Sequence, residues 1–230
     1  MQFPGPLKNV MRGSRGGQPE TNGSGLPGTS RVAGNQSAET TRVSRGLEEF
    51  FTHIQGQSGL TLLDLGGASQ QNVSFITELG HRFCSEDFRL ILGDPSAAES
   101  LADQANPGRI EYFLEHALDY PEHHFDGVLI WDVLEYLAPP LATAVVERLH
   151  RIVRPGSYML AFFHADDKLE AVPYYAFRIV DLKTLQIAQH GVRRPAKLFN
   201  NRSVEKLFAC SESVKFFLTR DRLREVVIRV

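Results

Sequence analysis

Residues 60–67 read Leu60-Thr-Leu-Leu-Asp-Leu-Gly-Gly67. An apolar run without alternation is what a strand buried on both faces requires, and such strands belong to parallel sheets. The paired glycines end it. Gln70 to Leu79 then carries apolar side chains at Val73, Ile76 and Leu79, a helical period, and stops at Gly80, the residue best suited to a helix C-terminus. Strand, tight turn and helix form the first half of a βαβ unit.

The same alternation extends on both sides. A leading helix is predicted over Val43 to Ile54, and a second strand over His81 to Glu86. A helix over Ser96 to Gln104 is followed by a strand at Arg109 to Leu114 and another at Phe125 to Ile130. Leu141 to Val153 reads as a helix through Val145, Val146, Leu149 and Ile152, stopped by Pro155-Gly156, and Tyr158 to Phe163 is again a buried strand. Elements in this order specify a parallel, doubly wound α/β sheet. Tyr174 to Val180 and Thr184 to Gln189 break the pattern as two strands about Asp181-Leu-Lys183, a hairpin lid within an insertion at 164–200. Asn201 or Ser203 is suited to cap the next helix. Val214 to Leu218 and Val226 to Val230 close the sheet as an antiparallel hairpin.

Composition sets the boundaries. Residues 1–44 are rich in Gly, Ser, Pro, Asn and Arg, as in Gly13-Ser-Arg-Gly-Gly17, and bury too little apolar surface to offset ordering entropy, so a disordered arm is expected ahead of one domain at 45–230. The net charge of −2 gives no general attraction to nucleic acid or anionic membrane. No apolar stretch has the length of a signal-peptide core or a membrane span, which makes a cytoplasmic protein the expectation. The two cysteines, Cys84 and Cys210, read as reduced structural thiols, and no Cys/His cluster has metal-ligand spacing, so no metal is expected.

Ligands of open parallel sheets bind beyond the carboxyl ends of the strands, where strand order reverses. Leu62-Leu-Asp-Leu-Gly-Gly-Ala68 lies there. Its acid precedes the glycines, unlike the dinucleotide fingerprint Gly-x-Gly-x-x-Gly. The stretch resembles motif I of class I S-adenosylmethionine-dependent methyltransferases. Gly80-His-Arg-Phe-Cys-Ser-Glu-Asp87 resembles that family's second strand, ending in an acid for the ribose hydroxyls, with Asp87 the better match and Glu86 the alternate. Phe125-Asp-Gly-Val-Leu-Ile-Trp-Asp-Val-Leu-Glu-Tyr-Leu137 is similar to its fourth strand and exit turn, and Arg148 to Gly156 to the helix and turn before its fifth strand. Four matches in order cover Leu60 to Phe163.

The resemblance implies a Rossmann-like, mostly parallel seven-stranded sheet ending in an antiparallel hairpin, with S-adenosylmethionine as cofactor. It implies cofactor contacts from Asp64, Gly66, Gly67, Ala68, Asp87, Phe88, His116, Ala117, Trp131 and Asp132. Ala68 and Gln70 stand where the family often has Gly, and His116 where it commonly has Asp; Gln70 needs only helical angles if the helix begins there. Methyl transfer is an in-line displacement that needs position more than a dedicated base. Where the acceptor must lose a proton, His164 and Asp132 are the candidates, ahead of His123 and His124. A histidine closing a loop hydrogen bond and an aspartate capping the turn at Val133 are the structural alternatives. Tyr174 and Tyr175 on the lid can face an apolar acceptor, and Arg193, Arg194, Lys197 and Arg202 can face an anionic one or simply solvent. The expected partner is a small molecule with an O, N or C acceptor; nothing basic and aromatic forms a nucleic-acid groove. The rival readings are a non-catalytic cofactor-binding or interaction protein and a nicotinamide-dependent oxidoreductase.

Overall fold

Ser44 stops one element and starts the next. Its side chain accepts the Leu47 N–H at 3.1 Å, capping helix α1 (Arg45–Ile54), while the preceding Glu39–Val43 is a strand, β1. The computed structural model describes residues 39–88, 104–219 and 222–230. The remaining elements are β2 (Thr61–Asp64), α2 (Gln70–Glu78), β3 (Arg82–Ser85), α3 (Pro107–Ala117), β4 (Phe125–Trp131), a 3₁₀ turn (Val133–Tyr136), α4 (Pro139–Ile152), β5 (Val153–His164), β6 (Val172–Asp181), β7 (Thr184–Arg193), α5 (Asn201–Leu207), β8 (Ser213–Leu218) and β9 (Leu223–Arg229).

Six strands form the main sheet in the order β3-β2-β4-β5-β9-β8. β3, β2, β4 and β5 are parallel, and β9 and β8 run antiparallel to their neighbours. This is a Rossmann-like, doubly wound α/β fold ending in the expected hairpin. After β3 the chain crosses to the other side of β2, so strand order reverses beside β2. The side-chain alternation of each strand feeds two cores. Leu63, Val128, Ile130, Met159 and Ala161 pack with α3, α4 and α5, while Leu62, Leu129, Trp131, Leu160 and Phe162 pack with α1, α2 and the β6–β7 hairpin.

Three expectations are corrected. Arg109 to Leu114 lies in α3: Ile110, Tyr112 and Leu114 alternate as a strand would, but Asn106 accepts the Gly108 and Arg109 N–H groups and Pro107 takes the first helical turn, so the helix wins. Among the described residues the main sheet therefore has six strands rather than seven. Residues 39–43, expected within a disordered arm, instead form β1, which pairs antiparallel with β7 and completes a three-stranded sheet in the order β1-β7-β6. Asn200, not Asn201 or Ser203, caps α5, accepting the Ser203 N–H at 3.0 Å. The helix expected at Ser96 to Gln104 lies almost wholly outside the described residues. Of the apolar residues at helical spacing in α2 and its C-cap, Ile76 is buried and Leu79 is 37 % exposed, and Asn72 is the other buried residue of the helix. Among the described residues, no helix is long and apolar enough to cross a membrane.

A buried carboxylate fastens the N-terminal elements to the sheet. Glu225 on β9 accepts the Ser44 hydroxyl at 2.9 Å and the Gly46 N–H at 2.6 Å, and pairs with Arg42 at 2.8 Å. Negative charge at the N-terminus of α1 meets the positive end of its dipole. Replacing Glu225 with Ala strands Arg42 and an amide inside the protein, and urea denaturation is expected to show a loss of about 3 kcal/mol. A change below about 0.5 kcal/mol would remove this pair from the account of stability.

Candidate active site

β2 ends in a carboxylate that no water reaches. Asp64 is fully buried and accepts three N–H groups: Gly66 N at 2.7 Å, Trp131 Nε1 at 2.8 Å and Asn72 Nδ2 at 3.3 Å. A buried charge persists only when paired or hydrogen-bonded in this way. Asp64 thus shapes the glycine turn from behind instead of reaching into it. Ser69 caps α2 by accepting the Asn72 N–H, and α2 begins at Gln70 with ordinary helical geometry. Gln70 and Ala68 are both exposed.

The two glycines are demanded by what stands against them. A Cβ on Gly66 would lie 2.6 Å from Trp131 Cδ1; one on Gly67 would lie 2.6 Å from Asp87 Oδ2, and Gly67 has a φ of +89°. Gly66 and Asp87 form an isolated antiparallel bridge, and Phe88 N–H donates to the Leu65 carbonyl at 3.3 Å. Of the two candidate acids, Asp87 faces the turn. Glu86 is held elsewhere, accepting the Tyr120 hydroxyl, whose own acidity is weakened by burial and by that bond.

Trp131 leaves β4 with a φ of +56° and lays its indole parallel to Phe177 of β6, 5.1 Å between centroids. Asn72 joins the same hairpin: its Nδ2 also donates to the Phe177 carbonyl at 3.2 Å, and its Oδ1 accepts the Ile179 N–H at 2.8 Å. Between turn and hairpin remains a cavity of about 120 Å³ lined by Gly66, Gly67, Ser69, Asn72, Trp131 and Phe177, among others. Asn72 escaped the sequence reading because it is one of several polar residues in Gln70-Gln-Asn-Val-Ser74, and only the fold singles it out as buried.

A second buried group stands at the ends of β4 and β5. His164 Nδ1–H donates to Glu135 Oε2 at 2.6 Å and its backbone N–H to Glu135 Oε1 at 3.0 Å. Glu135 is fully buried and His164 only 4 % exposed. Burial raises the Glu135 carboxyl to about 7, against the opposing pull of its bonds to His164 and with help from the negative charge of Asp132. His164 Nε2 is buried and has no hydrogen-bond partner among the described residues. The imidazole stacks on Tyr175 of β6 at 6.1 Å. Arg224 closes the floor, donating to the carbonyls of Phe199, His164 and Ala165.

The other candidates are dispersed. The side chains of Phe88 and Ala117 belong to the core, Phe88 meeting Phe113 edge-on at 5.2 Å. His116 lies exposed on α3, its Nδ1–H donating to the Tyr112 carbonyl at 2.7 Å. Asp132 is buried at the start of the 3₁₀ turn and makes no side-chain cap bond, so the capping alternative is corrected. His123 and His124 precede β4 and therefore lie at the opposite edge of the sheet from His164. Arg193 stacks over Tyr174 at 4.0 Å.

No family model matches the chain, and no curated protein matches it. Among solved structures it is similar in fold to the 1,6-didemethyltoxoflavin-N1-methyltransferase of Burkholderia thailandensis, with bound 1,6-didemethyltoxoflavin and S-adenosylhomocysteine (15% identity, 80% of this chain and 76% of that one, TM-score 0.46). It is also similar to an S-adenosylmethionine-dependent methyltransferase of Methanosarcina mazei (14% identity, 78% and 96% covered, TM-score 0.47). A third is the glycopeptide N-methyltransferase MtfA complexed with S-adenosylhomocysteine (15% identity, 80% and 88% covered, TM-score 0.47). The likeness is one of chain path alone.

The Glu135 carboxyl gives a pH signature. Its value rises from 4.5 to about 7 on folding, so the stability it contributes is complete below about pH 4.5 and is lost as pH rises to about 7. Urea midpoints measured across this window are expected to fall in the wild type relative to Glu135→Gln. A wild-type advantage that grows with pH would contradict the assignment.

Proposed function

We propose that the chain binds S-adenosylmethionine at Gly66, Gly67 and Asp87 and transfers its methyl group to an O, N or C atom of a small molecule. The observation that carries this reading is the Gly67 cradle: a left-handed glycine at the strand-order reversal, with no room for a Cβ beside a carboxylate. The residues fit the ribose end of the cofactor. Asp87 offers two acceptor oxygens to a diol, and the bare Gly66–Gly67 backbone allows close approach. When bound, S-adenosylmethionine supplies a methyl group activated on a sulfonium.

The chain's own part is to orient, to keep water out and to receive a proton. Trp131, Phe177 and Tyr175 form an apolar row from the glycine turn to His164. Ionised Glu135 holds Nδ1–H, which leaves Nε2 as the atom that accepts a proton from an acceptor O–H or N–H. Asp132 contributes negative charge nearby and raises the Glu135 carboxyl.

One observation favours a second reading, a methyltransferase-like protein that binds cofactor or a partner without transfer. The Trp131 indole presses on Gly66 and takes an Asp64 oxygen, filling space at the turn. Isothermal titration separates the readings. Micromolar binding of S-adenosylmethionine and S-adenosylhomocysteine, weakened at least tenfold in Asp87→Ala, is expected of the first. Absence of binding, or tighter binding of NAD, would overturn it. Binding without methyl release across an acceptor panel, with unchanged affinity in His164→Ala, would leave the second.

A further inference from the structure

A cavity away from the glycine turn lies where β1, β6 and β7 meet the outer end of β8. It has a volume of about 680 Å³ and is lined by Arg42, Arg45, Tyr175, Ile187, Phe217 and Leu218, together with two threonines and a valine. That volume suits a small organic molecule. Among the described residues, no acidic side chain lines it. β8 runs antiparallel to β9, and β9 begins opposite His164, so Leu218 lies at the same edge of the main sheet as His164.

Its chemistry is two-sided. Arg42 is paired with buried Glu225 at 2.8 Å, whereas Arg45 is exposed at the first position of α1, with no salt bridge or side-chain hydrogen bond among the described residues. Among the described residues the lining therefore carries a positive charge at Arg45 that Glu225 does not neutralise. Opposite stand an aromatic ring at Tyr175 and apolar walls at Ile187 and Phe217, with Leu218 77 % exposed beside them. A guanidinium fork matches a carboxylate, and the apolar walls match a flat hydrocarbon body.

We propose that this cavity binds a small organic carboxylate with an aromatic or apolar body. Resting on the methyltransferase reading, that molecule is the methyl acceptor: Tyr175 is shared between the cavity wall and the His164 stack, so a ligand lying on Tyr175 adjoins the Glu135–His164 pair.

The test uses the full chain with 4-hydroxybenzoate, its neutral twin 4-hydroxybenzamide and inorganic phosphate as probes, followed by titration calorimetry and ligand-observed NMR. The carboxylate is expected to bind at least tenfold more tightly than the carboxamide, and phosphate alone not to compete. Arg45→Gln and Leu218→Glu, both exposed positions that leave folding intact, are expected each to weaken carboxylate binding at least tenfold. Equal binding of the two twins, competition by phosphate, or unchanged affinity in both variants would overturn the proposal, as would no binding of either twin. S-adenosylmethionine affinity, measured in the same samples, keeps the two readings apart. Carboxylate binding without cofactor binding supports the cavity and removes the methyltransferase reading; cofactor binding without carboxylate binding does the reverse.

Discussion

The buried carboxylate of Asp64 is the constraint around which this edge of the molecule is built. Left alone in the interior it would cost several kcal/mol, and the chain meets that demand from three separate elements: the glycine turn, the exit of β4 and helix α2. Each partner is thereby fixed in turn. Trp131 must bend back with positive φ to reach it, which is why Gly66 has no side chain. Asn72, once aimed at Asp64, presents its remaining groups to the backbone of β6 and holds the hairpin against α2.

The same device recurs along the sheet. Glu135 bridges the exit of β4 and the end of β5 through His164, and Glu225 ties β9 to the start of α1. Three buried carboxylates fasten the irregular segments to the regular sheet. Glu135 is bonded to His164, whose Nε2 is buried and has no hydrogen-bond partner among the described residues, and chemistry is assigned there.

Much of the scaffold was legible because strands buried on both faces leave unbroken apolar runs, as at Leu60 to Leu65 and Tyr158 to Phe163. Arg109 to Leu114 misled because a short amphipathic helix and an alternating strand share the pattern at Ile110, Tyr112 and Leu114; the Asn106-Pro107 start was the deciding signal. β1 was illegible in principle, since its five residues form a strand only because β7 offers an edge and Glu225 an ion pair. At the site, Asp64, Gly66 and Gly67 were read from the turn, and Asp87 from the resemblance of Gly80 to Asp87 to the family's second strand. The Glu135–His164 pair joins residues 29 apart, and only the oddity of single polar residues within Leu134-Glu135 and Phe163-His164 foreshadowed it.

The central claim is that the turn at Gly66 and Gly67, faced by Asp87, is a cofactor bed. Amide resonances of the full chain, followed during titration with S-adenosylhomocysteine, test it most directly. The account predicts saturable shifts at Gly66, Gly67 and Asp87, with Gly156 near the start of β5, at the opposite end of the strand from His164, unmoved. Shifts confined to other parts of the chain, or none at all, would contradict it.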